Sequence, residues 1–390
     1  MTNNARRLGL AAASLAVAFS PAVLVPTPVH ASSRAASNLR ASDADQVELP
    51  ALPGRYEVGT LTRELTDHHR TDPFAPAPQD RSVMVQLWYP ATAVDGSPPA
   101  PYMTPALAAF EENASGLPAG TLGAIGTHAH VDALPRRTFG GWPVVLFSPG
   151  SGSSRSLYTT MLEDLASQGF IIVAMDHPYD ADAVEFPGGR LVLRDQPPDG
   201  PESNAVAVAV RAEDTSFVLS ELPMLDGQLR GTMNLHRVGM FGHSMGGATT
   251  AAAMHTDPRL AAGVDLDGTL YGPVVDTGLS RPFLLMSSAT HDRSDDGTWA
   301  EFWSHLSGWH RDLKLAGSGH LSYCDIAALV GPLHLTGMFP PEMVGTIDGD
   351  RAVQIEQTYL TAYFDRFLRH GSTPLLDSPD PDYPEVLFED

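Results

Sequence analysis

The chain has 390 residues, a formal net charge of −22 and a single cysteine, Cys324. An acidic field of that size repels nucleic acid and anionic membrane surfaces, so neither is expected as a partner. One cysteine excludes an internal disulfide, so stability must come from an apolar core, in which Cys324 is expected to sit.

In chain order, Arg6 and Arg7 precede an almost unbroken apolar run over residues 8–25, and Val29-His30-Ala31 places small residues two apart. This pattern predicts a secretory signal peptide over 1–31 and a secreted, extracellular protein. The apolar run is too short for a membrane span, and no cysteine near the cut offers a lipid anchor, so no stable membrane anchor is expected. Residues 32–46 are rich in Ser, Ala and Asp and read as a disordered lead-in. Residues 47–390 are read as one catalytic domain.

Alternating apolar and polar residues over 56–65 and 82–89 predict two half-buried strands. Residues 91–141 are rich in Pro, Gly and Ala, with one short helix near 102–112. From residue 142 the rhythm changes. Continuous apolar runs at 142–147 and 170–175 read as strands buried on both faces, separated by a helix over 154–168. The alternation continues with a helix at 205–225, a strand at 236–241 and an Ala-rich helix at 245–254. Strands follow at 261–266, 282–287 and 313–315, with a helix at 299–306 and a closing amphipathic helix at 352–369. Strands and helices in single file predict an α/β fold, with a mainly parallel sheet covered on both faces.

The strand at 236–241 runs into Gly242-His243-Ser244-Met245-Gly246-Gly247 and then a helix. This is strand–turn–helix around G-x-S-x-G, the elbow of an α/β hydrolase. Gly is needed at 242 and 246, and a strained turn lifts the Ser244 hydroxyl to a helix N-terminus. Ser244 is therefore the candidate nucleophile, and it needs a base. In this fold the order is Ser, acid, His. Gly317-Ser318-Gly319-His320 follows the last predicted strand, whereas His255, His291, His305, His310, His334 and His370 sit less suitably, so His320 is the candidate base. For the acid, Asp267 ends the strand after the elbow helix and Asp292 follows the next one; both suit, and Asp265 is a third candidate further back in its strand. The oxyanion of acyl transfer needs two backbone N–H donors. Met245, just after the serine, supplies one, and Ser151 in Ser148-Pro149-Gly150-Ser151-Gly152 supplies the other. His177 and Tyr179, in the loop after the 170–175 strand, are candidate substrate-binding residues. Residues 331–343 form either a rim or lid over the site or a packed surface loop. No metal or other cofactor is expected: His128 and His130 lack further ligands, and Asp292, Asp295 and Asp296 lack calcium-loop spacing.

Together, Phe147-Ser148-Pro149-Gly150-Ser151-Gly152-Ser153-Ser154-Arg155, Asp164 to Phe170, the elbow, Asp265-Leu266-Asp267 and Gly317-Ser318-Gly319-His320 resemble the plasma-type platelet-activating-factor acetylhydrolase family. The resemblance implies metal-free hydrolysis of short or oxidised acyl esters, with lipid or other small esters as substrates, and Asp267 as the acid. Pro149 and Met245 depart from that pattern. They are similar instead to actinobacterial lipases and cutinase-type polyester hydrolases, whose likeness implies Asp292. The alternatives are thus a triglyceride lipase, a polyester hydrolase or, outside enzymes, a secreted binding protein on a hydrolase scaffold.

Overall fold

The structure, a computed structural model, describes residues 47–225 and 227–389. The expected signal peptide (1–31) and lead-in (32–46) lie outside the described residues.

Strands β1 (Val58–Thr71) and β2 (Asp80–Ala93) pair antiparallel. Strand β1 runs further than its alternation indicates, because its second half is polar and solvent-facing yet still bonds to β2. The Pro- and Gly-rich excursion holds α1 (Pro105–Ser115) and two short strands, β3 (Ala129–Val131) and β4 (Leu134–Pro135). Then come β5 (Trp142–Ser148), α2 (Thr159–Ser167) and β6 (Ile171–Asp176). A hairpin follows, β7 (Ala183–Phe186) and β8 (Arg190–Leu193), which the apolar pattern alone does not reveal. Its signal is Pro187-Gly188-Gly189, a three-residue hairpin loop whose two glycines are both at positive φ.

The remaining elements are α3 (Pro201–Glu221), β9 (Met233–His243), α4 (Met245–Thr256), β10 (Leu260–Leu266), α5 (Val274–Thr277), β11 (Phe283–Ser287) and α6 (Gly297–His305). They are followed by β12 (His310–Leu315), α7 (Ile326–Leu329), α8 (Pro341–Val344), α9 (Gly349–Arg369) and β13 (Val386–Phe388). Strand β13 pairs antiparallel with β12 at the sheet edge.

The main sheet runs β13-β12-β11-β10-β9-β5-β6-β2-β1-β3, and its block from β12 to β6 is parallel. Alternate residues of each strand feed opposite faces. Val145, Phe147 and Phe241 pack with Leu162 of α2 and Tyr359 and Phe364 of α9. Val144, Leu146 and Met240 pack with Val208 of α3, Ala248 of α4 and Trp299 of α6. Burial on both faces is the reason these strands read as unbroken apolar runs. Cys324 lies in the first of these cores, 5% exposed.

From β5 the chain moves one way to β6, and it later returns on the other side of β5 as β9. The carboxyl ends of β5 and β9 therefore flank a topological switch point, where an open α/β sheet leaves a crevice for a ligand. Ser148 is level with Gly242 in this pairing, which sets the Pro149-Gly150-Ser151 loop beside the elbow.

Candidate active site

The elbow has the expected strain. Ser244 caps α4 with φ 55° and ψ −124°, a conformation that L residues avoid. Its N–H is tied to Leu266 O at 2.8 Å, locking the turn onto β10. A Cβ at Gly242 would stand 2.2 Å from Gly246 O, and one at Gly246 would stand 1.9 Å from Ser148 O. Both positions therefore admit only glycine, and their absence of side chains lets the β5 loop close on the serine. The first N–H groups of α4, Met245 among them, have no carbonyl within the helix to bond.

The loop after β5 is held from behind by Arg211 of α3, which is 1% exposed. Its guanidinium forks onto Asp180, with Nε 2.7 Å from Oδ2. It also donates to Pro149 O at 2.6 Å and Gly150 O at 3.3 Å. Across a trans peptide the carbonyl and the following N–H point opposite ways. Two carbonyls aimed at Arg211 thus turn the N–H groups of Gly150 and Ser151 to the other side. Gly150 N–H donates to Tyr158 Oη at 3.0 Å. Ser151 N–H has no acceptor among the described residues, while its hydroxyl accepts from Arg194 at 3.1 Å.

Tyr158 continues to His243, whose Nδ1 lies 2.9 Å from the phenol oxygen and whose Nε2 lies 2.9 Å from His320 O. Burial pushes the His243 pKa well below the ordinary value, so the ring is neutral. Because the His320 carbonyl only accepts, Nε2 carries the proton and Nδ1 accepts from Tyr158. The result is one hydrogen-bonded chain from the β5 loop to the backbone of His320. The His243 and His320 rings are 4.4 Å apart, so His320 lies against the residue preceding Ser244.

His320 Nδ1 meets Asp267 Oδ2 at 2.6 Å. Among the described residues its Nε2 has no hydrogen-bond partner. Asp267 lies just past β10 at φ 59°, and Ser288 N–H donates to its Oδ1 at 2.6 Å. Burial would raise its pKa, but hydrogen bonds from His291 and His320 overcome burial and hold the carboxyl well below the usual range. Asp292 is elsewhere: its oxygens take Lys314 at 2.8 Å and Ser294 N–H at 2.7 Å. Asp265 is fully buried and turned inward, accepting from Gly268 N–H at 3.0 Å.

His177 is placed differently from the sequence expectation, whereas Tyr179 stays partly open to solvent. His177 is 1% exposed, and its ring nitrogens are taken by Ser148 Oγ at 3.0 Å and Asp214 Oδ2 at 2.8 Å. It supports the end of β5 from behind and has no nitrogen left for a ligand. Tyr179 is half-buried at φ 66°, and its hydroxyl accepts from Gln79 at 2.8 Å. The 331–343 stretch continues into α8, which packs on the His320 loop through Ser322 Oγ and Val344 O at 3.1 Å. Sequence reasoning missed Tyr158, Arg211 and Asp180, and weighed His291 and Asp296 only as a base and a calcium ligand. His243 sat in view inside the elbow, but the others are distant in sequence and carry no local motif.

A model of the family "Platelet-activating factor acetylhydrolase, isoform II" matches residues 41–187 and 213–371. The chain belongs to this family. A probable 1-alkyl-2-acetylglycerophosphocholine esterase of Arthroderma benhamiae is 32% identical over 64% of this chain and 67% of its own length. A platelet-activating factor acetylhydrolase of Cavia porcellus is 24% identical over 60% of this chain and 59% of its own length. Among solved structures, a ferulic acid esterase from Streptomyces cinnamoneus superposes with a TM-score of 0.80 at 35% identity, covering 88% of this chain and all of that one. The fold is that of an α/β hydrolase, and the protein is a carboxylic ester hydrolase. The binding-protein alternative is thereby closed. Among the described residues no helix is long and apolar enough to cross a membrane.

Proposed function

We propose that the protein is a secreted serine esterase acting on short-acyl lipid esters through Ser244, His320 and Asp267. Ser244 attacks the ester carbonyl as His320 Nε2 takes its proton, and the tetrahedral oxyanion is held by the N–H groups of Met245 and Ser151. His320 then passes the proton to the departing alcohol. Water, deprotonated by the same imidazole, releases the acid from the acyl-enzyme. Asp267 fixes the tautomer of His320 and stabilises its charged form without itself taking the proton.

The observation that carries this reading is the 2.6 Å contact between His320 Nδ1 and Asp267, which leaves Nε2 without a partner among the described residues, together with a strained serine at a helix N-terminus. Export rests on the sequence pattern of residues 1–31. The test is Ser244→Ala against the wild-type protein, read by p-nitrophenyl acetate hydrolysis and by labelling with a fluorophosphonate. Loss of both in a folded protein is expected; retained turnover would overturn the assignment.

A second substrate class is favoured by the 0.80 TM-score and 35% identity to the ferulic acid esterase, namely esters of aromatic acids. Parallel kcat/KM values for a 2-acetyl glycerophospholipid and for methyl ferulate separate the two, and the first is expected to be higher.

A further inference from the structure

Asp267 is gripped by two imidazoles. His320 takes Oδ2, and His291 Nδ1 takes Oδ1 at 3.1 Å. The other nitrogen of His291 lies 3.1 Å from Asp296 Oδ2. Asp296 is fixed in turn, because its Oδ1 caps α6 by accepting from Thr298 N–H at 2.8 Å and Trp299 N–H at 3.3 Å. The His291 ring packs at a tilt against Trp299 with centroids 4.5 Å apart, and the indole N–H donates to Gly268 O at 2.6 Å, next to Asp267.

A neutral imidazole has one N–H and one lone pair, so between two carboxylates one nitrogen would face an oxygen with no proton to share. Two such contacts at hydrogen-bond distance call for a doubly protonated ring. We propose that His291 is a positioning residue that acts through Asp267, sharing the carboxylate with His320 and thereby setting how far into acid His320 remains an unprotonated base. The inference rests on the Ser244–His320–Asp267 reading and extends it.

The electrostatic sense is consistent with this role. Burial works against a charged His291, but the bonds to Asp267 and Asp296 prevail and raise its pKa to about 10. A cation on the far oxygen of Asp267 weakens that carboxylate's hold on a protonated His320. The other groups around the cluster do not reverse the sign. Burial pushes the Asp265 carboxyl well above the carboxylate range, and the His243 ring facing His320 is neutral. Asp292 is paired with Lys314, and Arg293 with Asp312.

The experiment is the pH profile of kcat/KM for p-nitrophenyl acetate in wild type and His291→Gln. Removing the cation leaves Asp267 and Asp296 uncompensated, so the imidazolium of His320 is favoured. The acid limb is expected to move up by about one pH unit, costing about tenfold on the acid side of the limb. The plateau should fall less, because Ser288 N–H still holds Asp267. An acid limb that stays in place or moves down overturns the inference, even if the melting temperature drops. If His291→Gln does not fold, ¹⁵N-histidine NMR of the wild type, assigned with Asp296→Asn, replaces it. Two protonated ring nitrogens at neutral pH are expected for His291, and a neutral ring overturns the inference. Ser244→Ala and His320→Ala run alongside. Their retained activity would mean that the triad reading fails, whereas their inactivity with an unmoved His291→Gln limb would mean that only this inference fails.

Discussion

Replacing Arg211 with Lys tests whether a buried cation behind the β5 loop aims the oxyanion donors. The guanidinium reaches Asp180 with a fork and still donates to Pro149 O at 2.6 Å and Gly150 O at 3.3 Å. An ammonium keeps the charge opposite Asp180 but is a compact point donor that cannot span all three acceptors. At least one buried carbonyl then loses a charged donor, worth about 1.5–3 kcal/mol of stability. The peptide carrying Ser151 N–H loses its anchor on the side of Arg211 and keeps only Ser153 N–H, at 3.2 Å from Gly150 O. Complete loss of one oxyanion donor costs about 10²–10³ in kcat, so a loosened donor should cost about 10–100-fold. Because the interaction strengthens as charge develops, kcat should fall with KM nearly unchanged. Steady-state kinetics on p-nitrophenyl acetate and binding of a boronic acid analogue of the tetrahedral intermediate measure this. A variant with a lowered melting temperature but wild-type kcat would refute the reasoning.

The two acids separate by the same kinetics. Asp267→Asn should lose about 10⁴ in kcat through the wrong His320 tautomer, whereas Asp292→Asn should stay within a few-fold; the reverse order would sink the triad. Gly246→Ala should yield no correctly folded enzyme, since its methyl would stand 1.9 Å from Ser148 O; a soluble, fully active variant in an expression assay would contradict the elbow packing. His177→Ala should lower the melting temperature with little change in KM, because the ring is buried against Ser148 and Asp214. A raised KM with unchanged stability would return it to the substrate pocket. Asp164 offers a pH test. Burial raises its pKa to about 7, so its contribution is complete below the unfolded value near 4 and is lost as pH rises through about 7. Asp164→Asn should therefore gain about 2–4 kcal/mol on the wild type between those limits in urea unfolding; parallel stability curves would refute this.

The sequence by itself determined the features that depend on a few neighbouring residues. The elbow is one, because steric exclusion at Gly242 and Gly246 and the positive φ of Ser244 are properties of a single turn. The parallel sheet is another, since strands buried on both faces cannot avoid reading as apolar runs. Chain order singled out His320 as the candidate base, and the β7–β8 hairpin could have been read from Gly188-Gly189. What only the tertiary structure decided is which charge meets which. Asp267 and Asp292 both end a strand–turn step, and nothing local distinguishes them. Which groups each one meets depends on the register of β10 with β11, which brings Ser288 N–H and His291 onto Asp267, while Asp292 falls to Lys314 on β12. His177 was read as a substrate-binding residue because its loop follows the 170–175 strand. Its burial is set by Asp214, 37 residues away on a helix whose position follows from the β6–β9 crossover. A buried polar group must find its partner wherever the fold places one, and that distance is not written in the neighbouring residues.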